Sequence, residues 1–156
     1  MKLGRPPGVG IGFAVGAVTL FICATGNARA DECDTMAAAI ARAANLTAGH
    51  RTQANFIPMS PVDGEYGVYL NCAGTYGLNL RFMSPPDPPP EWFQFVGRSG
   101  SVLTKVPPLV LREGVQKCLN AAFESGRQHA DFEHRGARFI CDVGENDKRV
   151  ELTITR

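Results

Sequence analysis

Two spacings alternate along this chain, one of three and four residues and one of two, and together they mark out helices and strands. Cys33, Met36, Ala37, Ile40 and Ala44 recur at three and four, so one apolar stripe predicts a helix over 33–46, with Asp31 or Asp34 as caps and Gly49 beyond its end. Residues 50–58 follow neither period. Asn55-Phe56-Ile57 suits a short strand before Pro58 and Pro61 break the ladder. Val68, Leu70 and Cys72 then alternate with Tyr69 and Asn71, and Leu78, Leu80 and Phe82 with Asn79 and Arg81, which predicts two strands joined through residues 73–77.

Residues 84–90 carry five prolines, a density that forbids both helix and ladder pairing and predicts a stiff, exposed polyproline-like loop. A strand over 91–96, a turn at Gly97-Arg98-Ser99-Gly100 and a returning strand over 102–106 are expected to follow. The clearest helix is 109–125, where Leu111, Val115, Cys118, Leu119, Ala122 and Phe123 form one continuous face and Gly126 stops the chain. After a polar connector, Phe139, Cys141 and Val143 alternate with Ile140 and Asp142, and Val150, Leu152 and Ile154 with Glu151, Thr153 and Thr155. That is a closing hairpin.

Strands that arrive as hairpins, without a helix between each pair, pair antiparallel. The fold class expected is therefore α+β, a two-layer sandwich of an antiparallel sheet with two helices on one face and two disulfides.

The first thirty residues change the chemical setting. Lys2 and Arg5 precede seventeen uncharged residues, 9–25, and Ala28-Arg29-Ala30 presents small residues where a signal peptidase reads, so residues 1–30 are expected to be a cleavable signal peptide. A retained anchor is the alternative, weakened as a permanent helix by Gly8, Gly10, Gly12 and Gly16. Ile22 stands before Cys23 where a lipid-anchoring signal needs a small residue, so Cys23 is expected to leave with the leader. No stable membrane span remains after cleavage, and residues 31–156 are expected to form a single disulfide-stabilised domain, periplasmic or secreted.

In an oxidising compartment the remaining Cys33, Cys72, Cys118 and Cys141 read as two disulfides. None lies close enough to another for the short knuckle of a structural zinc site, and the missing C-x-x-C argues against an oxidoreductase. Three pairings are possible. Because Cys118 lies in the middle of a core stripe facing the sheet, Cys33 with Cys72 and Cys118 with Cys141, which tie helix to strand, are favoured over pairings within one layer.

Three of the sixteen basic residues lie in the leader and all fifteen acidic ones beyond it, leaving a net charge of −2. The basic residues are scattered, whereas nucleic acid or an anionic membrane needs a concentrated cationic surface, so neither is an expected partner. Asn45-Leu46-Thr47 matches a glycosylation pattern that would matter only in a eukaryotic secretory route.

Chemistry concentrates in residues 127–138, where His129, Asp131, Glu133 and His134 fall within six positions and could serve a metal or general acid–base step. Five residues apart, the two histidines would point in different directions on a helix, so a solvated charged connector is the expectation. Gly97-Arg98-Ser99-Gly100-Ser101 lacks the second glycine of a nucleophile elbow and reads as a turn. His50 has no nearby acid and reads as a surface residue. Pro88, Pro89, Pro90, Trp92 and Phe93 form the most unusual surface candidate, a stiff apolar segment suited to binding a partner, but the favoured reading has Trp92, Phe93 and Phe95 filling the edge of the core, with Trp92 at least half buried and the prolines exposed.

The function expected is a small exported, non-enzymatic binding or envelope-accessory protein, its partner an unknown protein or envelope component, with no cofactor, no metal site and no catalytic residue assigned. The alternative is a small secreted hydrolase or metal-binding protein using the segment 129–134.

Overall fold

A computed structural model describes residues 25–61, 66–74, 77–85, 87–126, 128–144 and 150–155. In chain order the elements are α1 (Thr25–Ala44), β1 (Leu46–Ala48), β2 (Phe56–Pro61), β3 (Gly67–Gly74), β4 (Gly77–Ser84), α2 (Pro90–Thr104), α3 (Pro108–Glu124), β5 (His129–His134), β6 (Ala137–Val143) and β7 (Val150–Thr155). The strands form one seven-stranded sheet in the order β1-β2-β3-β4-β7-β6-β5, with every neighbouring pair antiparallel. The α+β class and the antiparallel sheet are as expected from the sequence. Residues 1–24, including Cys23 and most of the expected leader, and residues 145–149 of the last turn lie outside the described residues. The helical backbone of α1 passes through the expected cleavage point after Ala30.

All three helices pack on one face. Cys33 of α1 is bonded to Cys72 of β3 and Cys118 of α3 to Cys141 of β6, with Cα–Cα distances of 5.7 and 5.9 Å, the pairing favoured above. Both tie the helical layer to the sheet. The core lies between the layers, built from Ile57, Met59, Val68, Leu70, Leu80, Phe82, Phe139, Leu152 and Ile154 of the sheet and from Ile40, Trp92, Phe95, Leu103, Leu111 and Val115 of the helices. Among the described residues no helix is long and apolar enough to cross a membrane.

The main correction concerns residues 91–106, expected as strand, turn and strand but folded as α2. Trp92, Phe95, Val96, Ser99, Gly100 and Leu103 are buried at helical spacing, and the end signals agree with a helix. Pro90 occupies the first turn, where its missing N–H is not needed, Glu91 complements the helix dipole, and Lys105 closes the helix in the left-handed region at φ 64°. Gly97 and Gly100 mark close helix packing rather than a turn. A Cβ on Gly97 would stand 2.8 Å from the Pro108 carbonyl oxygen, and one on Gly100 would stand 3.0 Å from Leu111 Cδ1, both on α3.

Smaller corrections have equally local causes. Helix α1 stops at Ala44 because Asn45 turns left-handed at φ 55°, which releases Leu46 into the edge strand β1. Strand β2 runs on through Pro58. The Pro58 carbonyl accepts from Gly49 N–H at 2.8 Å, so the side lacking a donor faces the end of short β1 and no bond to β3 is lost. The polar stretch after α3 is strand β5, which a two-residue turn at Arg135 (φ 49°) and Gly136 (φ 86°) joins to β6.

Helix α3 reaches the sheet through Gly114. A methyl there would fall on three atoms of the Phe139 ring. Although alanine favours helix by about 1 kcal/mol over glycine, Gly114→Ala is expected to lower stability by a net 1–3 kcal/mol or so from overpacking. Urea denaturation checks this, and an unchanged midpoint would mean that α3 can lift from Phe139 without loss.

Candidate functional site

Period-two alternation divides β5 sharply. Ala130, Phe132 and His134 turn toward the helices, whereas His129, Asp131 and Glu133 are exposed on the other face. The two histidines, five apart, therefore stand on opposite faces and cannot ligate one metal together. His134 approaches Glu113 of α3 at 4.0 Å, while His129 lies opposite Asp142 of β6, with Nδ1 2.6 Å from Oδ1. The segment is thus ordered strand rather than a solvated connector.

On the open face the charged groups pair across β5 and β6. The Arg138 guanidinium forks onto Asp131, donating from Nε to Oδ1 at 2.9 Å and from Nη2 to Oδ2 at 2.6 Å. That hydrogen bonding, aided by the positive charge of Arg138 and by His129, holds the Asp131 carboxyl below the usual carboxylate range against a smaller opposing effect of burial. Asp131 remains about one third exposed, so the pair is screened by solvent and contributes under about 1 kcal/mol. The depressed value means this contribution is complete above the ordinary carboxylate range and is lost as pH falls through the lowered midpoint of Asp131. Arg138→Met should move that midpoint back up in an NMR titration, and an unmoved midpoint would contradict the assignment.

The register extends this face into cross-strand rows. Pro58, Tyr69, Arg81, Thr153, Ile140 and Asp131 follow one another from β2 to β5, and a second row runs from Phe56 through Asn71, Asn79, Thr155 and Arg138 to Glu133. The three helices lie on the other face, but Asn79 and Thr155 in the second row are buried, so the open part of this face is the row through Tyr69, Arg81 and Asp131. Tyr69 is 37 % exposed there, one of the few large apolar side chains so placed. Among the described residues no three His, Cys, Asp or Glu side chains gather in a way that could hold a metal ion.

Trp92 takes the core place expected of it, whereas Pro88 and Pro89 are less exposed than expected. Trp92 is fully enclosed, and its indole Nε1 donates to the Met83 carbonyl at 3.3 Å, so it anchors α2 to β4 and cannot be an exposed contact. Pro88, Pro89 and Phe93 are half-buried and Pro90 is exposed, which leaves a narrower apolar rim than the sequence suggests. Ser99 is likewise buried inside α2, neither in a turn nor at a nucleophile elbow, while His50 is exposed as expected. The pairing of His129 with Asp142 escaped the sequence reading. The Arg135-Gly136 turn was the signal that would have folded β5 back on β6.

Comparison with protein-family descriptions, with characterised proteins and with solved structures returns no match to this chain.

Proposed function

We propose that this is an exported, non-enzymatic binding or envelope-accessory protein, acting in the periplasm or outside the cell, whose binding surface is the sheet face left open by the helices. The observation that carries the reading is the state of the charged groups on that face. His129 lies against Asp142, Arg138 forks onto Asp131, and Tyr69 and Arg81 stand side by side on neighbouring strands, where they offer an exposed aromatic and an exposed cationic side chain to a partner. A leader-like N-terminus and disulfides that staple both layers support export. Intact-mass analysis of exported protein should find a chain beginning at Asp31 with no free thiol.

Cross-linking in the native compartment tests the binding role. The parent should capture a reproducible partner that is lost from a Tyr69→Ser, Arg81→Glu variant of unchanged circular dichroism. Undiminished capture by the variant, or substrate turnover by the purified parent, would overturn the reading.

One observation favours the second reading, a small secreted hydrolase or metal-binding protein. An imidazole held by a carboxylate, as His129 is by Asp142, is the base and orienting group of many hydrolytic sites. That reading requires turnover or metal uptake that disappears in His129→Ala.

A further inference from the structure

Strand β5 is the outer edge of the sheet, and among the described residues no other strand faces one side of its backbone. The two-residue turn at Arg135-Gly136 fixes which groups these are. It makes His134 and Ala137 a hydrogen-bonded pair, and because such pairs recur every second residue, Phe132 with Phe139 and Ala130 with Cys141 follow. Val143 N–H donating to the Gln128 carbonyl at 2.8 Å continues the same alternation. The N–H and C=O groups of His129, Asp131 and Glu133 therefore point away from β6. At one end the Ser125 hydroxyl makes a long contact of 3.4 Å to the His129 carbonyl, consistent with that outward direction.

Proteins commonly guard such an edge with proline, charged side chains, a bulge or a covering segment. Strand β5 has no proline, and its register with β6 runs unbroken from His129 to His134. Its outward row has an imidazole at one end and a carboxylate at the other, and this makes it self-complementary in side-chain type. When two copies of β5 pair antiparallel about an axis through Asp131, His129 of each stands opposite Glu133 of the other. All three outward positions then enter the ladder. The two Asp131 carboxylates meet at the axis, each already held by its own Arg138. Ala130 of each copy falls opposite Phe132 of the other on the helix side. Centring the pair on Ala130 instead would set His129 against Asp131, but β5 begins at His129, so only two of the three outward positions would pair.

We propose that β5 is an interface between two copies of this chain, joined edge to edge into one continuous sheet by the outward backbone groups of His129, Asp131 and Glu133, with His129 of each copy beside Glu133 of the other. Because both copies use the same strand, the contact closes at two, and the opposite edge is only the three-residue β1. The inference is independent of what the open face binds.

Sedimentation of the unmodified full chain from roughly 1 µM to roughly 1 mM should show a reversible monomer–dimer equilibrium. A monomer throughout would overturn the proposal. The register is read by single cysteines at exposed positions, since hydrogen-bonded partners across antiparallel strands have Cα atoms about 5.5 Å apart, within disulfide reach. Asp131→Cys should oxidise to a covalent dimer. Glu133→Cys alone should not, because its own counterpart is four residues away along the ladder, whereas a mixture of His129→Cys and Glu133→Cys chains should cross-link. Gln116→Cys, on the exposed side of α3, serves as the control. Cross-linking of Glu133→Cys or Gln116→Cys as readily as Asp131→Cys would refute pairing through β5 in this register.

Discussion

Replacing Trp92 with alanine is expected to lower the stability of the fold by about 3–5 kcal/mol, the range for deleting a large aromatic side chain from a packed core. The side chain is fully buried, stands edge-on to Phe93 with ring centroids 5.3 Å apart, and fixes the first turn of α2 to the last residues of β4. Since folds of this size are stable by only about 5–15 kcal/mol, the loss would take a large share of the total. Trp92→Phe separates the two contributions. It keeps much of the apolar volume but removes the Nε1 donor, leaving the Met83 carbonyl short of one partner, and should lower stability by only about 1–2 kcal/mol. Urea titration of the three proteins gives the differences. Trp92 is the single tryptophan of the chain, so the parent's fluorescence reports this position alone and should be centred at short wavelength until unfolding. Long-wavelength emission from the folded protein, with an unchanged midpoint for Trp92→Ala, would contradict its place in the core.

Trp92 also shows where local pattern is readable and where it is not. Helix α3 was legible because Leu111, Val115, Cys118, Leu119 and Ala122 share one buried stripe and glycine follows it, although Phe123, expected on the same face, is 53 % exposed. Helix α2 was not, because Phe, Val and Trp favour strands in isolation and Gly97 and Gly100 resemble turn residues. What makes those glycines helical is the backbone of α3 pressed against them, a contact between segments that no short window contains. Pro90 was the local clue, since proline in a first turn starts helices as readily as proline elsewhere ends them. The disulfide pairing, in contrast, followed from the pattern. Cys118 lies in the core stripe of α3, so its partner had to come from the sheet, and Cys141 is on a core-facing position of β6.

The candidate site was legible in composition and not in geometry. Residues 129–134 stood out for their histidines and carboxylates, but charged residues at every second position masked the apolar alternation of Ala130 and Phe132 that makes β5 a strand. Once it is a strand, the grouping follows from pleat and register. His129 and His134 separate to opposite faces, and Asp142, thirteen residues from His129, becomes its neighbour. The free edge follows from the same step, because the turn that pairs β5 with β6 also decides which backbone groups are left over.

Removing either disulfide should destabilise the fold by about 3–4 kcal/mol, since by chain entropy their separations of 39 and 23 residues differ by only about half a kcal/mol. At roughly 4 °C per kcal/mol for a chain of this length, the Cys33→Ala, Cys72→Ala and Cys118→Ala, Cys141→Ala double variants should each melt roughly 10–15 °C lower. What distinguishes the two bonds is access. Cys118 and Cys141 are both fully buried between α3 and β6, whereas Cys72 is only partly buried. Exchange requires a thiolate to reach a sulfur atom, so a mild reductant under native conditions should open Cys33–Cys72 first. Cys118–Cys141 should persist until the fold itself opens, and its reduction rate should rise steeply with urea while that of Cys33–Cys72 rises little. Alkylation and peptide mapping over a reduction time course read both rates. Simultaneous reduction of the two bonds would mean that α1 and α3 leave the sheet in a single step, and earlier loss of Cys118–Cys141 would contradict the buried contact between α3 and β6.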